Sequence, residues 1–355
     1  MAYTAIDLPT DYFNTVLYTG NGTAIGSGGQ AITGVGFAPD WTWIKERSST
    51  SPHKLLDTIR GATKELESNG TNLEATTAES LASFDSDGFT VGNNGAVNQS
   101  SQTYASWNWL AGGSASSNTN GSITSSVSAN TTAGFSIVSY TGNGSAGATV
   151  GHGLGTTPAM VIQKRRSGST ASWVVWHKSI HDTSSNNKVI FLNLTDASAS
   201  GASDTIGGVS STLITTAGTG AVNPSGDTCI MYCFAEVQGY SKFGSYKGNG
   251  NADGTFVYTG FKPAWIMIKK SSGTENWSMY DTKRNVNGTT NTLPLNADNT
   301  SNEDGNTGKN MDILSNGVKM YTSNGELNGS GDTYIYMAFA ESPFVSSKGI
   351  PTTAR

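Results

Sequence analysis

The segment "YTGNG" at residues 18–22 returns as "YTGNG" at 140–144 and as "YKGNG" at 246–250. Each copy precedes a proline that opens an apolar run: "FAPDWTWIKER" from Phe37, "TTPAMVIQKRR" from Thr156 and "FKPAWIMIKK" from Phe261. In the same order follow "HKLLDTIR" from His53, "WVVWHKSI" from Trp173 and "WSMYDTKR" from Trp277. The units close with "QTYASWNW" from Gln102, "DTCIMYCFAE" from Asp227 and "DTYIYMAFAE" from Asp332. A unit that recurs in constant internal order must fold the same way each time, so the chain is three diverged copies of one supersecondary module.

The copies cover residues 15–113, 134–238 and 239–345, roughly 100 residues each, which is the size of a small β-sandwich domain. Residues 1–14 read as an N-terminal docking segment and 346–355 as a loosely held tail. Residues 114–133, rich in Gly, Ser, Asn and Thr, read as a flexible linker or an extended arm. Between the second and third copies the connection "EVQGYSKFGSYKG" is short and aromatic, so those two should touch.

Within a copy, "WTWIK", "MVIQK", "WIMIK" and "TYIYMAFAE" are β-branched or aromatic runs with partial alternation, bounded by Gly, Pro, Asn and Ser. Asp87-Gly88 with Asn316-Gly317, and Asn94-Gly95 with Asn324-Gly325, predict type I′ hairpin turns. The expected fold class is all-β: three tandem lectin-like, jelly-roll type antiparallel β-sandwiches.

Composition narrows the partners. Charged residues make up 13% of the chain, about half of the ~25% usual in globular proteins, and the net charge is −5. Nothing in that balance attracts a polyanion, so neither nucleic acid nor membrane insertion is expected. The N-terminal sequence has no basic segment followed by an apolar one, so folding in a cytoplasm is expected. Cys229 and Cys233 lie four apart on one predicted strand, about 13 Å at ~3.3 Å per residue; they cannot pair and read as buried thiols.

The motifs that carry chemistry elsewhere fall away. Gly142, Gly144 and Gly147 have dinucleotide-loop spacing, but the third glycine is lost in the other two copies and no helical pattern follows to hold a pyrophosphate. His177 and His181, with Asp182, have metal-like spacing, yet the positions matching His177 are Asp57 and Asp281. "DSDG" at Asp85–Gly88 begins like a calcium loop and then lacks its ligands, so it reads as a turn. Glu236 and Glu341 match each other after "FA" and read as structural. No cofactor, metal site or catalytic residue is expected. The candidate functional residues are aromatic and polar: Trp173, Trp176, His177, Trp277, Tyr280 and Asp281, in equivalent strands, have the side-chain types of a shallow saccharide site.

"FSIVSYTGNGSAGATVGHGLGTTPAMVIQKR", "CFAEVQGYSKFGSYKGNGNADGTFVYTGFKPAWIMIKK", "SFDSDGFTVG" and "GDTYIYMAFAE" closely resemble a repeat family encoded by tailed phages of marine bacteria. The resemblance covers essentially the whole chain. Members are mostly uncharacterised, often labelled structural or tail-fibre-like, and bring no catalytic residues to carry over. It implies a non-enzymatic virion component, a tail fibre or spike or a capsid decoration, exposed on the particle and contacting other virion proteins. A host-surface polysaccharide as ligand, and a homotrimer in the case of a fibre, are further expectations. The rival readings are a virion depolymerase and a calcium-dependent lectin.

Overall fold

The computed structural model describes residues 3–181, 188–200, 205–216, 220–284, 293–303 and 308–352. Regular structure is almost all antiparallel β, and the same pair of sheets occurs three times. The first repeat sets strands Phe13–Thr19, Thr103–Trp109, Trp41–Glu46 and Lys54–Asp57 side by side in that order. The second repeats the order with Phe135–Thr141, Thr228–Phe234, Met160–Arg165 and Val174–His177. In the third the strands are Ser241–Lys247, Thr333–Pro343, Phe261–Lys270 and Trp277–Asp281. A three-stranded sheet covers each: Gln30–Thr33 with Gly88–Val91 and Leu81–Asp85, then Thr149–Gly151 with Leu213–Thr216 and Ile206–Val209, then Phe256–Tyr258 with Gly317–Met320 and Met311–Leu314.

Strand residues alternate between two cores. In the second closing strand Cys229, Met231 and Cys233 face that repeat's own sandwich interior, whereas Ile230, Tyr232 and Phe234 face the other way. Ala105, Trp107 and Trp109 of the first repeat and Ile335, Met337 and Phe339 of the third join Ile230, Tyr232 and Phe234 in one central cluster. Rings from different repeats meet there: Trp41 stacks on Tyr232 at 4.3 Å, and Phe13 on Phe339 at 5.1 Å. Three main sheets thus enclose a common aromatic core, and each is buried on both faces. That is why the alternation is only partial in sequence, as expected for strands covered on both sides. The all-β sandwich fold is as expected, and the repeats pack as sectors of one body around that core.

The segment 114–133 is an arm rather than a free linker. Ser125–Asn130 pairs with Phe135–Thr141, and Ser116–Asn118 pairs with the arm in turn, extending the second main sheet. Ile123 and Val127 are its anchors, both buried in the second sandwich. The N-terminal segment is also held by its own chain: Ile6 enters the central core, Tyr3 Oη donates to Gly260 O at 2.6 Å, and Asp7 accepts from Ser347. Residues 345–352 fold back through a Val345–Pro351 bridge, so the described part of the tail is tied down; residues 353–355 lie outside the described residues.

The repeated glycines answer to close approach. A Cβ at Gly20, Gly142 or Gly248 would fall inside the carbonyl oxygen of Gln99, Pro224 or Gly329 respectively. The asparagine after each is gripped by a buried asparagine: Asn98 Oδ1 accepts from Asn21 N at 2.8 Å, Asn223 from Asn143 at 2.9 Å and Asn328 from Asn249 at 2.9 Å. "YTGNG" is therefore a clamped strand end. Two turn expectations fail. Asn94 and Asn324, at φ −60° and −58°, cap the one-turn helices Gly95–Asn98 and Gly325–Asn328 by accepting from Ala96 N and Glu326 N. Asp87-Gly88 and Asn316-Gly317 do close hairpins, but neither Asp87 nor Asn316 has positive φ, so neither turn is type I′.

Candidate functional site

The six candidate residues are all buried, Trp176 being the most accessible at 6%. The expected shallow saccharide face on these strands is corrected: the side chains lie inside the molecule, and four of the six sit where one repeat meets the next. Trp173 Nε1 donates to Glu67 O of the first repeat at 2.8 Å, and Trp277 Nε1 to Phe191 O of the second at 2.9 Å. At the matching place in the first repeat stands His53. Its Nδ1 accepts from Trp43 Nε1 at 2.8 Å, which leaves Nε2–H to donate to Asn296 O of the third repeat at 2.9 Å. An N–H donor on a flat ring thus bridges all three seams. Tyr280 packs in the third sandwich, and Trp176 in the second against His181.

Asp281 belongs to a second bridge. Its carboxylate accepts from Trp107 Nε1 of the first repeat at 3.0 Å and from Arg284 Nε at 2.5 Å. Arg284 is within 3.0 Å of Glu303, which also binds Arg47 of the first repeat at 2.8 Å. The seam between the first and second repeats repeats this pattern. Asp57 accepts from Tyr232 Oη at 2.7 Å and Arg60 Nε at 2.5 Å, and Glu74 joins Arg60, at 3.6 Å, to Arg166 of the second repeat, at 2.7 Å. Fully buried charges of this kind persist only when paired and hydrogen-bonded.

The third seam, between the second and third repeats, lacks the whole device. His177 replaces the aspartate, Ile180 the first arginine, Ser198 the glutamate, Ser271 the second arginine and Met337 the aromatic donor. Backbone register identifies the equivalents: Ser198 N donates to Ser271 O at 3.0 Å, as Glu74 N does to Arg166 O at 3.1 Å and Glu303 N to Arg47 O at 2.9 Å. Met337 offers no donor, and the group across the seam is the carbonyl of Tyr336. His177 meets it with a ring N–H: Nδ1 accepts from Ser179 N at 3.1 Å, so Nε2 carries the proton toward Tyr336 O at 3.2 Å. Burial holds this imidazole neutral and lowers its pKa to about 4. With both nitrogens engaged, His177 is no metal ligand beside His181; Asp182 lies outside the described residues.

Shortening the glutamate and arginine to serines leaves a cleft of about 450 Å³ at this seam. Ser179, Ser198, Ser271, Ser272 and Thr333 present hydroxyls to it, with Ile180 as an apolar patch and His181 and Lys188 at its walls. Among the described residues no acidic side chain lies within ion-pair distance of Lys188 Nζ.

Three further lysines escaped the sequence reading although they occupy one position of the repeat. Lys45, Lys164 and Lys269 are buried in the proline-opened strands, and burial lowers each to a pKa of about 8. Lys164 donates to Thr71 O of the preceding repeat at 2.9 Å and Lys269 to Thr195 O at 2.8 Å. The signal was the shared Lys inside otherwise apolar "WIK", "IQK" and "MIK". Cys229 and Cys233 are buried and unpaired. Glu236 binds Lys178 and Lys242, and Glu341 binds Lys262.

A family model described as a domain of unknown function (DUF7483) matches residues 8–343. The chain belongs to that family. The match runs through all three repeats. No curated protein and no solved structure matches the chain.

Proposed function

We propose that this chain is a non-enzymatic component of a phage particle surface, a rigid knob that contacts a host-surface saccharide or decorates the shell. The observation that carries the non-enzymatic part is the use of the buried charged groups. Asp57, Asp281, Arg60, Arg284, His53 and His177, six buried charged or titratable groups, are all bonded into seams between repeats. A general acid or base must reach a substrate proton, and these groups are buried and engaged with partners in their own and the neighbouring repeat. Resemblance of the repeats to proteins of marine tailed phages supports the particle assignment. The packing of residues 3–12 on their own chain favours docking through a folded face over docking through a free N-terminal strand.

Gold-labelled antibody on purified virions tests the assignment. Label on the tail supports adhesion, and label over the head supports decoration. Virions without label would contradict both. New reducing ends released from host envelope glycans by the purified protein would favour a depolymerase instead.

A further inference from the structure

We propose that the open seam between the second and third repeats binds an acidic saccharide unit, a polyhydroxylated ring carrying a carboxylate. This names the ligand of the saccharide contact proposed above and rests on that reading for its biological setting.

The comparison among seams carries the argument. Two seams each hold a carboxylate, Glu74 or Glu303, between two guanidinium groups. At the third, the carboxylate and both guanidiniums are absent together, with Ser198, Ser271 and Ile180 in their places. Unfilled volume in a packed interface costs stability. Here the replacements are two serines and an isoleucine, and the space stays open.

The walls have saccharide chemistry. A ring with hydroxyls on its rim and C–H groups on its faces calls for short side-chain hydroxyls around a small apolar patch. The cleft provides these in its serines, Thr333 and Ile180. Its volume of about 450 Å³ lies inside the range of small-molecule sites, roughly 300–1,000 Å³.

Lys188 supplies the charge preference. Neighbouring lysines are committed: Lys269 donates to Thr195 O and Glu275 O, and Lys270 pairs with Asp332 at 2.8 Å. Asp332, which borders the serine wall, is also bonded by Ser272 Oγ at 3.1 Å, so its charge is compensated. Lys188 is left to meet a ligand carboxylate by a charge-assisted hydrogen bond.

Calorimetric titration of the purified full chain tests the site with trisaccharides of galacturonate, mannuronate and guluronate, and with neutral maltotriose. At least one uronate should bind with a sub-millimolar Kd, and maltotriose about tenfold or more weaker. Lys188→Ala should weaken the uronate about tenfold without moving Tm. Ser198→Glu combined with Ser271→Arg should restore the ion pair across the seam, close the cleft and abolish binding, again without loss of Tm. The proposal is overturned if no uronate binds, if maltotriose binds equally well, or if binding survives both sets of substitutions. Virions that carry label while the protein binds no uronate would remove this site and keep the particle assignment. Uronate binding with unlabelled virions would do the reverse.

Discussion

At the residue scale the molecule shows how one position changes its chemistry to suit its partner. Asp57 and Asp281 face Tyr and Trp donors, whereas His177 faces a carbonyl and must itself donate. His177→Asp should therefore bury a carboxylate against an oxygen and lower stability by about 3–5 kcal/mol. Adding Met337→Tyr should return about 1–3 kcal/mol of that as coupling. A urea-unfolding double-mutant cycle with additive effects would contradict the assignment. The same histidine predicts a pH dependence. Its folded pKa is about 4 against an ordinary 6.5, so between those values the unfolded chain binds the extra proton. Its contribution, about 3 kcal/mol by the size of that shift, is complete above pH 6.5 and is lost as pH falls toward 4. His177→Gln keeps an N–H donor and cannot titrate. Urea midpoints compared at pH 7 and pH 4.5 should fall less in the variant, and an unchanged fall would contradict the reading.

At the element scale the arm is the informative piece. The opening strands Phe13–Thr19 and Ser241–Lys247 end their sheets, while Phe135–Thr141 is covered by Ser125–Asn130. Besides its backbone pairing, the two buried apolar anchors Ile123 and Val127 hold that cover in place. Val127→Asp should detach it at a cost of roughly 2–4 kcal/mol and raise amide hydrogen exchange across 135–141 but not across 13–19. Exchange that stays slow would mean the edge is protected by something else. The arm's strand character was hidden in the sequence because its side chains are nearly all small and polar; the pairing comes from backbone groups and two widely spaced apolar residues. The turns illustrate the opposite difficulty. Asn-Gly serves both hairpins and helix caps, and at Asn94 and Asn324 the side chain caps the following turn. What the sequence did display was the repeat itself, the strand runs, and the clamp-like recurrence of "GNG".

At the scale of the whole molecule, one core joins what looked like three. The aromatic strands were legible as strands, but not the partner of their second face, since that partner lies in another repeat far along the chain. Trp173, Trp277 and Asp281, expected as saccharide contacts, are buried seam donors and acceptors. The coordinated change of His177, Ile180, Ser198 and Ser271 against their counterparts was a signal available in the aligned repeats, and it marks the seam that stays open. The central claim is that the three repeats form a single cooperative body around the shared core of Trp41, Trp109, Tyr232, Phe234, Trp265 and Phe339. Differential scanning calorimetry of the intact chain tests it most directly. The account predicts one transition with equal calorimetric and van't Hoff enthalpies; two or three separable transitions, one for each independent repeat, would contradict it.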